Sequence, residues 1–296
     1  MSVFLNSRGD LRTVWKFAAF VSVWMPVWIA ISLALRLIFN GINSSADDLH
    51  RLMLDVVINL IPAIVATVFA ARIVDDIPVQ SLGIGFHGSW KLNLIAGFSI
   101  GGFLVILFVA GAKLFGEFQL DWATYTSAGR MLLTLGILIL AAAFEELIFR
   151  GYPLQALMRG MGPWPAMLVM SSLFGLLHAK NPNSSVLGVF NTIVAGLMLS
   201  LAYFKTRSLW FPYGLHLAWN VGTGMVVGFP LSGTGFGSIW TAHVNGPPWL
   251  LGADYGPEGG LLGTLVFLAG AAIVWKLPTK EMQYDNPLHK NSSARQ

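Results

Sequence analysis

Long apolar stretches alternate with short polar ones along this chain, and that alternation leaves few folds open to it. Phe17–Phe39 contains one charged residue, Arg36. It is too long for a signal-peptide core and has no small-residue cleavage site near its end, so it reads as a retained membrane span. Further apolar runs follow at Leu52–Ala71, Leu92–Phe115, Met131–Met158, Trp164–Ala179, Val186–Phe204, Trp210–Phe229 and Gly260–Trp275. In hydrocarbon every backbone N–H and C=O must find a partner within the protein, and a helix supplies those partners within its own segment. The expected fold is therefore all-α, a polytopic membrane protein of about eight transmembrane helices. Composition agrees, since 11% of residues are charged against about 25% in soluble domains.

The absence of cysteine rules out a disulfide framework, a thiol nucleophile and a Cys-ligated metal. The net charge of +4 is scattered between apolar runs, which fits topology signals better than a nucleic-acid-binding patch. Eight spans put both termini on one side. With that side inside, the outer segments hold Arg36, Arg51, Lys113, Arg130 and Lys180, and the other 13 of the 18 Lys and Arg residues fall inward. The bias predicts cytoplasmic termini, with tails at 1–14 and 278–296 and one membrane domain over 15–277. No internal repeat interrupts it. Gly97, Gly101 and Gly102 suit close helix packing in the third span. Asp55 reads as a solvated helix terminus, and His87, in the loop between Arg72 and Lys91, has no partner of metal-binding spacing.

The fourth span carries the chemistry. Ala141–Gly151 reads AAAFEELIFRG, setting Glu145, Glu146 and Arg150 where each ionised group costs roughly 2.5–3.5 kcal/mol on insertion scales. On a helix Glu146 and Arg150 stand at i and i+4 and can pair, while Glu145 points about 100° away. A structural salt bridge with a spare glutamate is the plain alternative for this motif by itself. Two of six histidines also lie within spans: His178 closes Phe174–His178, and His216 stands one turn before Asn220. Two histidines, an amide and a carboxylate pair within spans make a polar site.

Depth counting links two of them. The turn after the fourth span centres near Met161, 16 residues beyond Glu145 and 17 before His178. In an antiparallel hairpin the two come level. His216 and Asn220 count out shallower, and bringing them level requires tilt or a late start to the seventh span. A Glu beside a His can hold and deprotonate water, and a second His with an Asn amide can donate to an oxyanion. These parts fit amide hydrolysis without a covalent intermediate. Ser171 and Ser172 lie about two turns from His178, too far for a serine–histidine pair.

The motifs EELIFR, FGLLH and HLAWN match in order the EExxxR, FxxxH and HxxxN motifs of the CPBP intramembrane proteases. That family comprises the type II CAAX prenyl proteases and bacterial Abi or bacteriocin-processing relatives. The resemblance covers about Met131–Val221, with Gly196 and Ser208–Trp210 resembling the usual lead-in to the last motif. It implies eight helices around a membrane-embedded polar cavity. It implies that Glu145 and His178 activate water and that His216 and Asn220 stabilise the oxyanion, while the i,i+4 spacing itself reads Glu146–Arg150 as a structural ion pair. It also implies a membrane-protein or peptide substrate, which can be lipid-modified, and a bacterial inner-membrane setting. No metal is assigned; were zinc bound, Glu145, His178 and His216 would be its ligands. Spans one to three and the Gly/Pro-rich loop Pro230–Gly259, with His243, Asp254 and Glu258, would shape substrate entry. A non-catalytic bacteriocin-immunity or scaffold protein of the same fold and a proton-coupled transporter are the competing readings.

Overall fold

The structure is a computed structural model that describes residues 3–5, 9, 11–39, 48–123 and 127–280. The expected loop at 40–47, the tail residues 281–296 with Lys290 and Arg295, and part of the 1–14 tail lie outside the described residues. The helices are α1 (Thr13–Phe39), α2 (Asp48–Phe69), α3 (Trp90–Phe115), α4 (Ala128–Phe149) and α5 (Tyr152–Met161). They continue with α6 (Pro163–His178), α7 (Val186–Thr206), α8 (Trp210–Asn220), the single turn α9 (Pro248–Leu251) and α10 (Leu261–Trp275). Wider π-helical turns extend α2 over Ala70–Val74 and α8 over Val221–Val227.

Helix thus stands at each expected position, and the chain is an all-α integral membrane protein. Among the described residues five runs are long and apolar enough by themselves to cross a bilayer: Thr13–Leu35, Asp48–Val74, Trp90–Phe115, Ala128–Met161 and Val186–Thr206. The helices α6, α8 and α10 are shorter. Large apolar side chains such as Leu33, Ile95 and Ile106 face outward, as they do where the surrounding solvent is lipid. The interior is a cluster of Leu104, Phe108, Met198, Leu215, Trp219 and Phe267 between α3, α7, α8 and α10.

Two features depart from the sequence expectation. The fourth span is broken at Arg150–Gly151. A proline ring clashes with the carbonyl four residues back in a continuing helix, and Pro153 would meet that of Phe149, where α4 ends. The new helix, α5, keeps descending, buried from Tyr152 to Met158 and packed on α1 and α6. The second departure is a pair of antiparallel strands, β1 (Glu117–Trp122) and β2 (Trp240–Asn245), paired from Glu117–Asn245 to Trp122–Trp240. β2 falls within the Gly/Pro-rich loop Pro230–Gly259 of the sequence reading, and β1 in the stretch between the third and fourth apolar runs. They tie the long loop before α10 to the end of α3.

The crossing of α3 and α8 is fixed by missing side chains. A Cβ on Gly97 would lie 2.0 Å from the Phe211 carbonyl oxygen, one on Gly101 2.3 Å from that of Leu215, and one on Gly214 2.3 Å from that of Leu94. The two backbones therefore touch, as small residues permit in membranes. Ser208 and Leu209 are already buried where α8 begins, and Leu209 N–H donates to the Gly83 carbonyl at 3.0 Å. The helix starts inside the protein, which sets the depth of the residues that follow.

Candidate active site

Glu145, His178, His216 and Asn220 all line one cavity of about 190 Å³ between α2, α4, α6, α7, α8 and the loop before α10. That volume holds several waters. Glu145 belongs to the wall, its side chain 23% exposed. Glu146, one residue on, turns inward with its side chain 3% exposed. The two carboxylates therefore have different surroundings, as a 100° step on a helix requires.

Glu146 accepts from Arg150 Nη1 at 3.1 Å through Oε1, and the same oxygen accepts from His216 Nδ1 at 2.9 Å. Arg150 is fully buried. Its Nη2 donates to the Gly196 carbonyl at 3.2 Å, and its guanidinium carbon lies 4.7 Å from the Phe174 ring centre. Gly196 also lets α7 lie close against α6, since a Cβ there would press on Ser171 at 3.0 Å. Ser171 itself is buried against Ser200, 3.4 Å away.

The position of His216 corrects the depth count. It is level with both glutamates, with Nε2 3.6 Å from Glu145 Oε2 and Nδ1 bound to Glu146. α8 begins at Trp210, where the apolar run begins, and its start is already buried at Ser208 and Leu209 rather than late. The direct Glu145–His178 contact does not form, although both face the cavity; no ion pair joins them among the described residues. His178 is the last residue of α6, and its Nδ1 bonds the Phe174 carbonyl at 2.7 Å. Nδ1 therefore carries that ring's proton as donor, leaving the Nε2 lone pair for another partner. Phe174 stands between the two imidazoles, its ring centre 4.6 Å from His178 and 6.4 Å from His216.

Two functions of residues went unread in the sequence. The spacing pairs Glu146 with Arg150, yet the residue also orients His216; that link spans 70 residues and has no local signal. Glu258, placed in a loop, lines the cavity. It accepts from Trp219 Nε1 at 3.2 Å and from Ser232 Oγ. Asn191 holds its segment, donating to the Glu258 and Gly260 carbonyls at 2.8 Å each while accepting from Thr264. Nearby Tyr255 ends a single 3-10 turn, Ala253–Tyr255, in the loop before α10; burial raises its hydroxyl pKa, with the charge of Glu258 adding to the effect.

A zinc site built from Glu145, His178 and His216 would need the three to converge. Among the described residues no group of three His, Cys, Asp or Glu side chains does so, although the Nδ1 bond of each histidine to a protein acceptor leaves its Nε2 open, the usual pattern of a metal-bound imidazole.

No curated protein matches the chain. Residues 127–222 match the family model described as Rce1-like, type II CAAX prenyl endopeptidase Rce1-like. This third of the chain runs from the N-cap of α4 to the end of α8 and includes all three motifs. The segment that brings the glutamates, both histidines and Asn220 to one cavity is similar to the Rce1-like family, consistent with the CPBP proteases its motifs resemble.

Proposed function

We propose that this protein is an intramembrane endopeptidase of CAAX-protease type, hydrolysing a peptide bond of a membrane-protein or peptide substrate with a water activated by Glu145. The observation that carries the reading is the unequal environment of the two adjacent glutamates around one imidazole. Glu146 is held by Arg150 and His216, so Glu145 is the carboxylate left to a reactant. Water bound between Glu145 and the Nε2 lone pair of His178 loses a proton to Glu145 as its oxygen attacks the carbonyl carbon. The oxyanion so formed accepts from the Asn220 amide and from His216, whose ring Glu146 holds through Nδ1. The C–N bond then breaks and the proton passes from Glu145 to the leaving amine.

Purified protein in proteoliposomes should cleave a membrane-anchored peptide and retain that activity in strong chelator, with substoichiometric zinc. Solute flux without cleavage would favour the transporter, neither activity the scaffold protein, and loss in chelator restored only by zinc would return the metal. We further propose a bacterial inner-membrane protein with both termini cytoplasmic. Reporters at Ser184 and at the C-terminus should read outside and inside, and an outside C-terminus overturns the orientation or the eight-span count.

A further inference from the structure

A second and larger cavity, of about 820 Å³, lies away from the glutamates where several helices end together. The start of α3, the end of α7 and the segment beyond α10 form its rim, with Trp90, Arg207 and Lys280 among its lining residues. The segment beyond α10 is strapped across by Lys280 N–H donating to the Lys205 carbonyl at 2.9 Å. Arg207 Nε donates to the Lys280 carbonyl at 3.4 Å.

Three properties of this cavity point to a ligand. Its charged lining is basic, Arg207 and Lys280, with no Asp or Glu among the described lining residues, and the otherwise unused His87 lines it too. Aromatic rings stand beside it, Phe86, Trp90 and Trp210 with centres 4.8–5.2 Å apart, and Phe86 is largely exposed. Such rings collect at the boundary between hydrocarbon and water. Finally, Arg207 holds a left-handed backbone, φ 51°, which a residue with a Cβ adopts at a cost. Asn or Gly would suit that turn better, so the contribution of Arg207 is its side chain. The guanidinium stacks on Phe204, 4.6 Å from the ring centre. Inward-facing lysines that serve only as topology signals need no cavity; these line one large enough for a glycerophosphate group.

We propose that this cavity binds a phosphate-bearing anion at the membrane surface, with Arg207 and Lys280 as its cationic contacts. A basic pocket between membrane helices is suited to an anionic lipid headgroup, and a soluble phosphate ester shares the chemistry. The proposal does not depend on the hydrolytic reading of the other cavity.

The test uses full-length protein in detergent, followed by thermal shift and native mass spectrometry. Phosphatidylglycerol, phosphatidylcholine, glycerol 3-phosphate and inorganic phosphate are added separately. Phosphatidylglycerol should raise Tm and remain bound in the gas phase while phosphatidylcholine does neither. The double variant Arg207→Asn/Lys280→Gln, whose Asn tolerates the left-handed turn, should bind phosphatidylglycerol about ten- to thirtyfold more weakly, two cationic contacts being lost. Equal shifts from inorganic phosphate or glycerol 3-phosphate would identify the ligand as soluble. Equal phosphatidylglycerol binding by wild type and variant, or equal stabilisation by phosphatidylcholine, would overturn the site. Lys280 is exposed, so Lys280→Gln alone, expected to weaken binding severalfold, gives the same reading if the double variant fails to fold.

Discussion

Replacing Glu145 by Gln is expected to lower the cleavage rate at least about a hundredfold, the lower range for removal of a general base, with Tm unchanged. Gln keeps the shape of the side chain but cannot take a proton from water. Tm should hold because Glu145 is partly exposed on the cavity wall, and its nearest imidazole nitrogen, at 3.6 Å, is beyond hydrogen-bond reach. No buried partner is orphaned by the change. Glu146→Gln is the control with the same chemistry in the opposite environment. It removes the charge facing Arg150 and weakens the acceptor of His216, so it should lower Tm as well as rate. A cleavage assay and a melting curve on both variants decide the assignment. An active Glu145→Gln beside a folded, inactive Glu146→Gln would move the base to Glu146.

What was legible in the sequence follows the range of each physical signal. Helix positions were legible because solvation of the backbone in lipid acts on every residue of a span, and eight apolar runs carry it without ambiguity. The break at Arg150–Gly151 was also local, since Gly151 and Pro153 announce it, but the surrounding apolar run concealed it. The strands β1 and β2 were hidden for a different reason. Each pairs with a partner more than a hundred residues away, so although EFQLDW and WTAHVN alternate polar and apolar residues, the sign of a strand, nothing local names the partner.

Legibility of the site divides in the same way. Ionisable residues within apolar runs stand out by their cost, so the glutamates, both histidines and Asn220 could be named one by one. Their arrangement could not. The contact of His216 with both glutamates depends on where α8 begins, which is set by the Gly83 carbonyl, the buried Ser208–Leu209 pair and the glycines of the α3–α8 crossing. Glu258 carries no signal of its own, because a carboxylate in a polar loop costs nothing in the sequence. Asn191 brings its segment to the cavity from 67 residues away.

Arg150→Ala is expected to lower stability by about 3–5 kcal/mol, the range for stranding one member of a buried ion pair. The guanidinium is fully buried and meets Glu146, the Gly196 carbonyl and the Phe174 ring. Its removal leaves Glu146 Oε1 with His216 alone, while Glu146 Oε2 already has no protein partner. A negative charge is then left buried with half its hydrogen bonding. Activity should fall with the fold, since Glu146 can no longer hold the His216 ring in one position. The combined variant Arg150→Met/Glu146→Gln removes both charges and restores apolar volume, so it should recover much of the lost Tm, as replaced buried pairs do. A Gln oxygen still accepts from His216 Nδ1, and Glu145 is untouched, so part of the cleavage rate should return as well. Melting curves and cleavage rates on the single and double variants form the test. A double variant no more stable than Arg150→Ala would mean that Arg150 acts through Gly196 and Phe174 rather than through the charge of Glu146.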